Sequence, residues 1–481
     1  MMKILSLIYR CRHAALRCAV VTAVCFPAPA SMAQSVEEAN ALAQDGNIEG
    51  AIAMLRSVTD ANPSDNGAAL ALGEMLWNAG RDAEAEQTYT ALRAKGERKA
   101  TLELARMAML NYRLDEAREL LDAYRKSLVK GRKKIAEDES GDFEEQLEKI
   151  STMLDRVQNI EVIDSVDVDA VEFFRHYPLS SAAGTLGGRE MLPDGTASGD
   201  MTTAHITESG GRMVWSAPDS AGNYRLYGSS ALLGNEWEAP KALGEELAEN
   251  GDALYPFLMP DGITLYYASD GDDSLGGFDI FQTREGEDGY LQPTNIGMPY
   301  NSPFNDYMLA VDEYTGAGWF ASDRNRIPGK VTIYTFIPQE MRVNVDVDNP
   351  RLAPLARLSS IGMTQKPDAD YSELRRDIAV NARRAARAPR REFQLAMPGG
   401  KVYTSMSQFR SREAAAAMKI YLEENAKFNR VLRQLDALRD GYARGDRSQA
   451  SLITSLESKL DAARAELQTL RNRVVTLEQN H

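Results

Sequence analysis

Two internal repeats, of about 34 and about 53 residues, constrain the fold of this chain more than any other feature of its sequence. The shorter one covers residues 34–126, where Gly46 and Gly80 are 34 positions apart, as are Ala51 and Ala85. Within each unit the apolar residues follow helical spacing. A helical repeat of this length predicts paired helices stacked into a solenoid, because a single pair cannot bury its apolar face alone.

Further positions recur in phase within the helical units. Small residues stand where two helices must approach closely, and a polar turn followed by a helix start opens each second helix. The small residues are Ala39, Gly73 and Ala105, and the second helices open at 47–51, 81–85 and 113–117. The pattern resembles the tetratricopeptide repeat and departs from it at the third turn, where Tyr112 replaces the usual glycine. A plain array of helical hairpins is the alternative, and it predicts the same architecture.

The resemblance implies a concave groove, lined by the first helix of each unit, that binds a protein or peptide partner. It assigns seven residues of the second and third units to this groove. They are Leu70, Glu74, Trp77, Asn78, Leu102, Arg106 and Met109. For Trp77 the alternative is that its ring packs under the neighbouring N-terminal helix.

The longer repeat lies between residues 200 and 345 and shows the two-residue period of β-strands. A serine recurs every 53 residues, at Ser216, Ser269 and Ser322, each at the end of a strand-like run. Each unit holds about four short runs separated by Gly, Asp and Asn turns, which predicts a β-propeller with one blade per unit.

The middle unit, residues 255–281, resembles the WD40-like repeat of TolB-type propellers in its order of aromatic, Pro-Asp-Gly and Gly-Gly-Phe-Asp segments. Three units are too few to close a ring, since propellers have at least about four blades. We therefore expect a small propeller of four or five blades within 160–410. Strands at 160–168 and 392–405 are predicted to close it.

The first 33 residues have the pattern of a secretory signal peptide, with a basic start, an apolar run and small residues before a cleavage point near Ala33. All three cysteines, Cys11, Cys18 and Cys25, lie inside it. The remaining chain has no cysteine, which excludes disulfides and cysteine-ligated zinc. Its 51 basic residues against 70 acidic ones argue against a nucleic-acid partner. No later run is apolar enough for a transmembrane segment. We expect a periplasmic protein, either free or associated with the outer membrane.

Three other segments are predicted to be helical. Residues 127–159 are a connecting helix, and residues 411–481 are a coiled coil because a heptad seam runs from Ile453 to Leu477. The coil forms either a hairpin of two helices or one long helix, and it offers a surface for self-association. The arginine-rich insertion at 372–391 is interpreted as a solvated helix or linker, with contact to an anionic lipid or an acidic partner as the alternative.

A search for catalytic motifs finds no G-x-S-x-G elbow, P-loop or HExxH sequence. His176 is interpreted as a structural histidine. The acidic residues between Asp270 and Asp279 are dense enough for calcium, but a turn stabilised by aspartate side chains explains them better. We predict no catalytic residue, no cofactor and no metal site.

Together these features predict a multidomain α plus β chain with an N-terminal tetratricopeptide-like α-solenoid, a small β-propeller and a C-terminal coiled coil. The combination resembles Bacteroidetes-type envelope proteins that carry tetratricopeptide repeats before a TolB-like propeller. The predicted function is a non-enzymatic, exported scaffold that binds an envelope protein or peptide. The alternatives are a propeller-based hydrolase or lyase, and a structural oligomer assembled through the coiled coil.

Overall fold

The computed structural model describes residues 32–130, 133–134, 136–193, 196–232, 237–387, 393, 395–398, 401–443 and 450–480. The predicted signal peptide lies outside these ranges except for its last two residues. The described chain forms a row of helices, then a region of antiparallel sheets, then a pair of long C-terminal helices.

Six helices pack in pairs over the shorter repeat, so the predicted helical array is confirmed. Their bounds are α1 Met32–Gln44, α2 Ile48–Ala61, α3 Asn66–Asn78, α4 Asp82–Ala94, α5 Arg98–Leu110 and α6 Leu114–Ser127. In the described residues, capping side chains begin three of them. Asn47 accepts the Gly50 amide at 3.0 Å, Asp65 accepts the Ala68 amide at 3.0 Å, and Glu97 accepts the Lys99 amide at 3.3 Å.

The recurrent small residues lie where neighbouring helices touch. Ala39 and Ala105 are fully buried. A Cβ atom added to Gly73 would come within 2.6 Å of the Tyr89 ring. A larger side chain at these positions would push the helices apart, which explains why small residues recur there in each unit.

Helix α7 (Phe143–Leu154) follows a short hairpin of β1 (Val129–Lys130) and β2 (Lys133–Lys134). Its apolar residues Phe143, Leu147, Ile150 and Leu154 are buried in the core of the repeats. The connecting helix predicted within 127–159 is thus amphipathic and covers the end of the array, because its apolar residues recur every three or four positions.

Three antiparallel sheets follow, and within each sheet consecutive strands are neighbours. The first contains β4 (Thr185–Gly187), β5 (Ala204–Ile206), β6 (Arg212–Pro218), β7 (Tyr224–Ser230) and β8 (Lys241–Ala242). The second contains β9 (Ala253–Leu258), β10 (Thr264–Ser269), β11 (Asp279–Arg284) and β12 (Thr294–Asn295). The third contains β13 (Asp306–Asp312), β14 (Ala317–Ser322), β15 (Lys330–Ile337) and, beyond β15, β3 (Glu161–Asp169).

Side-chain hydrogen bonds repeat across these sheets with the period of the sequence. Asp270 accepts the Asp252 amide at 2.7 Å, and Asp323 accepts the Asn305 amide at 2.8 Å, 53 residues later. Asp252 and Asn305 each accept, in turn, a backbone amide of the preceding unit. These polar residues therefore hold the ends of strands and join one sheet to the next.

The two segments predicted to close the sheet region join different sheets in the structure. Strand β3 pairs with β15 from Asp169 opposite Lys330 to Glu161 opposite Ile337, so the predicted strand at 160–168 belongs to the third sheet. The prediction for 392–405 is wrong: in the described residues, β16 (Leu395–Met397) and β17 (Lys401–Tyr403) form a separate two-stranded sheet. Its apolar side chains are buried against the C-terminal helices and are not available to the sheet region.

The described residues form three sheets of four or more strands, against the four or five predicted. Residues 170–193, which could have supplied another sheet, instead form three short 3-10 turns and strand β4. Phe173 from this segment is fully buried among the inner strands, with its ring centroid 5.1 Å from Tyr255 and 5.5 Å from Tyr307. The space between the sheets is thus filled with aromatic side chains.

Four helices complete the described chain: α8 (Leu352–Arg357), α9 (Ser372–Arg387), α10 (Arg412–Ala443) and α11 (Ala450–Gln479). The last two form an antiparallel hairpin, since Glu478 near the end of α11 accepts the amides of Arg410 and Ser411 at the start of α10. The predicted heptad positions lie in the seam between them, where Phe428, Leu435, Leu460, Leu467 and Val474 are buried.

Candidate partner-binding surface

The seven predicted groove residues do not form one open surface. Trp77, Leu102 and Met109 are buried, with 7%, 1% and 2% of their surface exposed. These three side chains are therefore not accessible to a partner in this structure, and the groove as a whole stays a prediction. Residues near 304 and 326 cover Trp77, and covering segments that are more than 200 positions away leave no local signal in a repeat.

Trp77 is covered by the sheet region. The guanidinium carbon of Arg326 lies 3.5 Å from the centroid of the Trp77 ring, and the Phe304 ring lies 6.5 Å away. Arg326 also donates a hydrogen bond to the Trp77 carbonyl at 3.1 Å. The ring thus packs between the end of α3 and the loops of the third sheet.

An ion cluster joins the helical array to the sheets around this tryptophan. Asp82, at the start of α4, pairs with Arg326 and lies 3.2 Å from Arg357 of α8. Arg357 also donates to the Asn111 side chain at the end of α5. Burial lowers the pKa of Arg326, an effect that Asp82 opposes. We call Trp77, Asp82, Arg326 and Arg357 the junction.

Tyr112 is a further contact between the array and the sheet region. It adopts a left-handed φ of 60°, where the earlier turns have Gly46 and Gly80 at 87° and 71°. Its side chain is buried in a core that includes Leu275 of the sheet region. Burial raises the pKa of its phenol, and the hydroxyl has no hydrogen-bond partner. A strained backbone at a position that suits glycine is tolerated here because the ring packs into this interface.

The third unit is covered from the other side, by the segment that leads into α7. Arg106 donates to the Glu139 carbonyl at 3.1 Å and pairs with Glu103 at 2.8 Å. The Glu139 amide donates to the Tyr124 hydroxyl at 2.8 Å. Burial raises the pKa of Glu103, although Arg106 favours its charged form. Arg106 therefore holds this segment in place and is only partly accessible.

Besides Arg106, four residues of the first helices α1 and α3 stay accessible. Asn40 and Glu74 are exposed, and Leu70 and Asn78 are half-buried. We call these four residues the open groove. Two amides, a carboxylate and one leucine suit a partner segment that supplies hydrogen-bond donors, a positive charge and an apolar side chain.

Other polar groups singled out in the sequence have structural partners. The acidic run contains Asp270, which holds Asp252, and Asp279, which accepts from Leu275 and Asn295. Over the described ranges no three His, Cys, Asp or Glu side chains are grouped so as to hold a metal ion. The absence of a metal site stays a prediction.

His205 is buried and bonded at both ring nitrogens. Its Nε2 lies 2.9 Å from the Ala183 carbonyl, and its Nδ1 accepts the Leu258 amide at 3.3 Å. The neutral ring with the proton on Nε2 satisfies both bonds. Burial lowers its pKa to about 4.

The comparisons with known proteins agree with the helical part of this description. A tetratricopeptide repeat family model matches residues 36–98. No curated protein and no solved structure matches the chain significantly. In the ranges that the structure describes, no helix is both long and apolar enough to cross a membrane.

Sequence reasoning missed the residues of the junction. Asp82, Arg326 and Arg357 come from three separate segments, so no local spacing connects them. One signal was present, because Tyr112 stands where the repeat has glycine. A large side chain at a turn that suits glycine indicates that this turn contacts another part of the molecule.

Proposed function

We propose that this chain is a non-enzymatic scaffold of the bacterial cell envelope, exported to the periplasm, that binds a protein or peptide through the open groove. The observation that carries the proposal is the tetratricopeptide match over an array whose open groove is still accessible. Repeat arrays of this kind use their extended concave faces for binding. Export is supported by the N-terminal pattern and by the absence of cysteine after residue 25.

We further propose that the sheet region is a small TolB-type β-propeller of a Bacteroidetes-type envelope protein. Side-chain hydrogen bonds that recur every 53 residues support this assignment. The third sheet supports it as well, because its last strand comes from the start of the region. Joining the first and last segments of a region in one sheet protects strand edges. In this proposal the junction holds the array at a fixed angle to the sheets, so a bound partner has a defined position.

Site-specific crosslinking in the native host tests the open groove. A photoreactive residue at Asn40 or Glu74 is expected to capture one envelope protein. The matched control is Glu119, an exposed glutamate on α6, the second helix of the third unit. The captured protein is then purified and its affinity is measured. Glu74→Lys is expected to weaken binding about tenfold or more, as for a contact worth over 1 kcal/mol, and Glu119→Lys to leave it unchanged.

Two results would contradict this proposal. Equal capture at Glu119 and at the open groove would mean that the contact is non-specific. Binding unchanged by Glu74→Lys would move the partner site to another surface.

A further inference from the structure

We propose that helix α9 and the neighbouring turn between β13 and β14 form a docking face for an anionic phospholipid bilayer. Helix α9 carries five arginines and two acidic residues, a net charge of +3, in a chain whose net charge is −15. Such segregation of charge gives one part of an acidic protein an electrostatic preference for an anionic surface.

Packing fixes which side of this helix meets solvent. Leu374 and Ile378 pack against the core of the sheets, and Arg375 donates to the Ile163 carbonyl on strand β3. Arg376, Arg383 and Arg384 are exposed on the helix. None of these three has an ion pair within the described part of the chain. The helix is therefore anchored by its apolar side and presents unpaired guanidinium groups outward.

An exposed aromatic residue lies beside these arginines. Tyr314, at the turn between β13 and β14, is 84% exposed, the largest value among the exposed large apolar and aromatic side chains of the described residues. The next residue, Thr315, accepts a hydrogen bond from Asn381 of α9 at 2.9 Å, which places the turn against the helix. We call Tyr314 with Arg376, Arg383 and Arg384 the arginine–tyrosine face.

This combination fits a bilayer surface better than an acidic protein. Tyrosine is enriched at the headgroup level of membranes, where its ring is half-immersed and its hydroxyl stays hydrated. Arginine donors match lipid phosphates. The exposed acidic groups Glu313, Glu373 and Asp377 lie on the same elements, and Asp370 directly precedes the helix. Helix α9 still keeps a net charge of +3, because it carries five arginines. Remote acidic surface is screened beyond about 10 Å at 0.1 M salt.

The test is flotation of the full chain with vesicles at 0.1 M salt. Vesicles of phosphatidylcholine with phosphatidylglycerol are compared with vesicles of phosphatidylcholine alone, and binding is expected only to the first. The triple variant Arg376→Gln, Arg383→Gln and Arg384→Gln is expected to lower the partition coefficient about a hundredfold, since each basic residue near the surface contributes about fivefold. Tyr314→Ala is expected to weaken binding without changing its salt dependence.

The matched control changes the net charge equally on elements other than α9 and the turn between β13 and β14. Arg93, Arg98 and Arg351 are exposed and make no ion pair in the described ranges. Their triple change to glutamine is expected to leave binding within about threefold of the original, because none of them belongs to the arginine–tyrosine face. Circular dichroism melting checks that each variant is folded. Absence of binding to anionic vesicles would refute the proposal, as would an equal loss in the control. Binding to a polyglutamate chain but not to vesicles would assign the face to an acidic protein.

Discussion

Asp82 is the residue whose removal tests the junction most directly. It is the carboxylate between Arg326 and Arg357, and the Arg326 side chain is only 10% exposed. Asp82→Asn keeps the shape but leaves two cations facing each other without an anion. Removing one partner of a buried ion pair costs about 3–5 kcal/mol. Because 27% of the Asp82 side chain is exposed, solvent screens part of this electrostatic cost. We therefore expect Asp82→Asn to lower the free energy of local opening by about 2 kcal/mol.

Hydrogen exchange measures this local cost without requiring two-state unfolding of a multidomain chain. A loss of about 2 kcal/mol in the free energy of local opening corresponds to exchange about 30-fold faster. The faster exchange should appear in peptides from the end of α3, the start of α4 and residues 323–327. The C-terminal hairpin, which has a separate core, should not change.

The control is Asp115→Asn, which also removes a carboxylate from the first turn of a second helix. The Asp115 side chain is 98% exposed and pairs with Arg118 at 3.1 Å, so the cost should stay below about 1 kcal/mol. In an Arg326→Gln background, the effect of Asp82→Asn should fall by at least half, because the two residues are coupled. Equal effects of the Asp82 and Asp115 variants, or strict additivity with Arg326→Gln, would refute the reasoning.

Three further predictions concern single side chains. His205 has a folded pKa of about 4, below its unfolded value, so the unfolded state binds more protons between about pH 4 and 6.5. The free energy of unfolding therefore falls as the pH falls through that window. The urea midpoints at pH 7 and pH 5 should converge for His205→Gln but not for the exposed control His176→Gln. Tyr112→Phe should leave the thermal midpoint equal or higher because its hydroxyl has no partner, whereas Tyr177→Phe should cost about 1 kcal/mol because its hydroxyl donates to the Met308 carbonyl. Glu478→Ala should speed hydrogen exchange at the start of α10 about tenfold or more, because a carboxylate that accepts two backbone amides contributes about 1.5–3 kcal/mol. Unchanged exchange there would contradict its capping role.

Local sequence patterns predicted the elements that depend on neighbours a few residues apart. The small residues Ala39, Gly73 and Ala105 predicted close helix pairs, and the structure buries them there. The heptad seam left two arrangements open, and the structure shows the hairpin. Strand β3 was recognisable as a strand-like run because β-branched residues are enriched in strands, here Val162, Ile163, Val166 and Val168.

The number of sheets and the position of residues 392–405 could not be predicted from local sequence patterns. Phe393, Leu395 and Met397 alternate as a strand should, but alternation does not say which surface they bury. In the structure that surface belongs to the C-terminal helices. Residues 170–193 carry apolar residues too, and they fill the space between the sheets.

By itself, the sequence determined that this protein has a helical array, antiparallel sheets and C-terminal helices, because periodicity records contacts within one element or one repeat. Only the tertiary structure decided which part of the concave face stays open. Trp77 is an inward-facing groove residue by its repeat position, yet Arg326, 249 positions later, covers its ring. Solvent exposure depends on every segment that packs against a surface, and segments that are distant in sequence leave no periodic trace at the residues they cover.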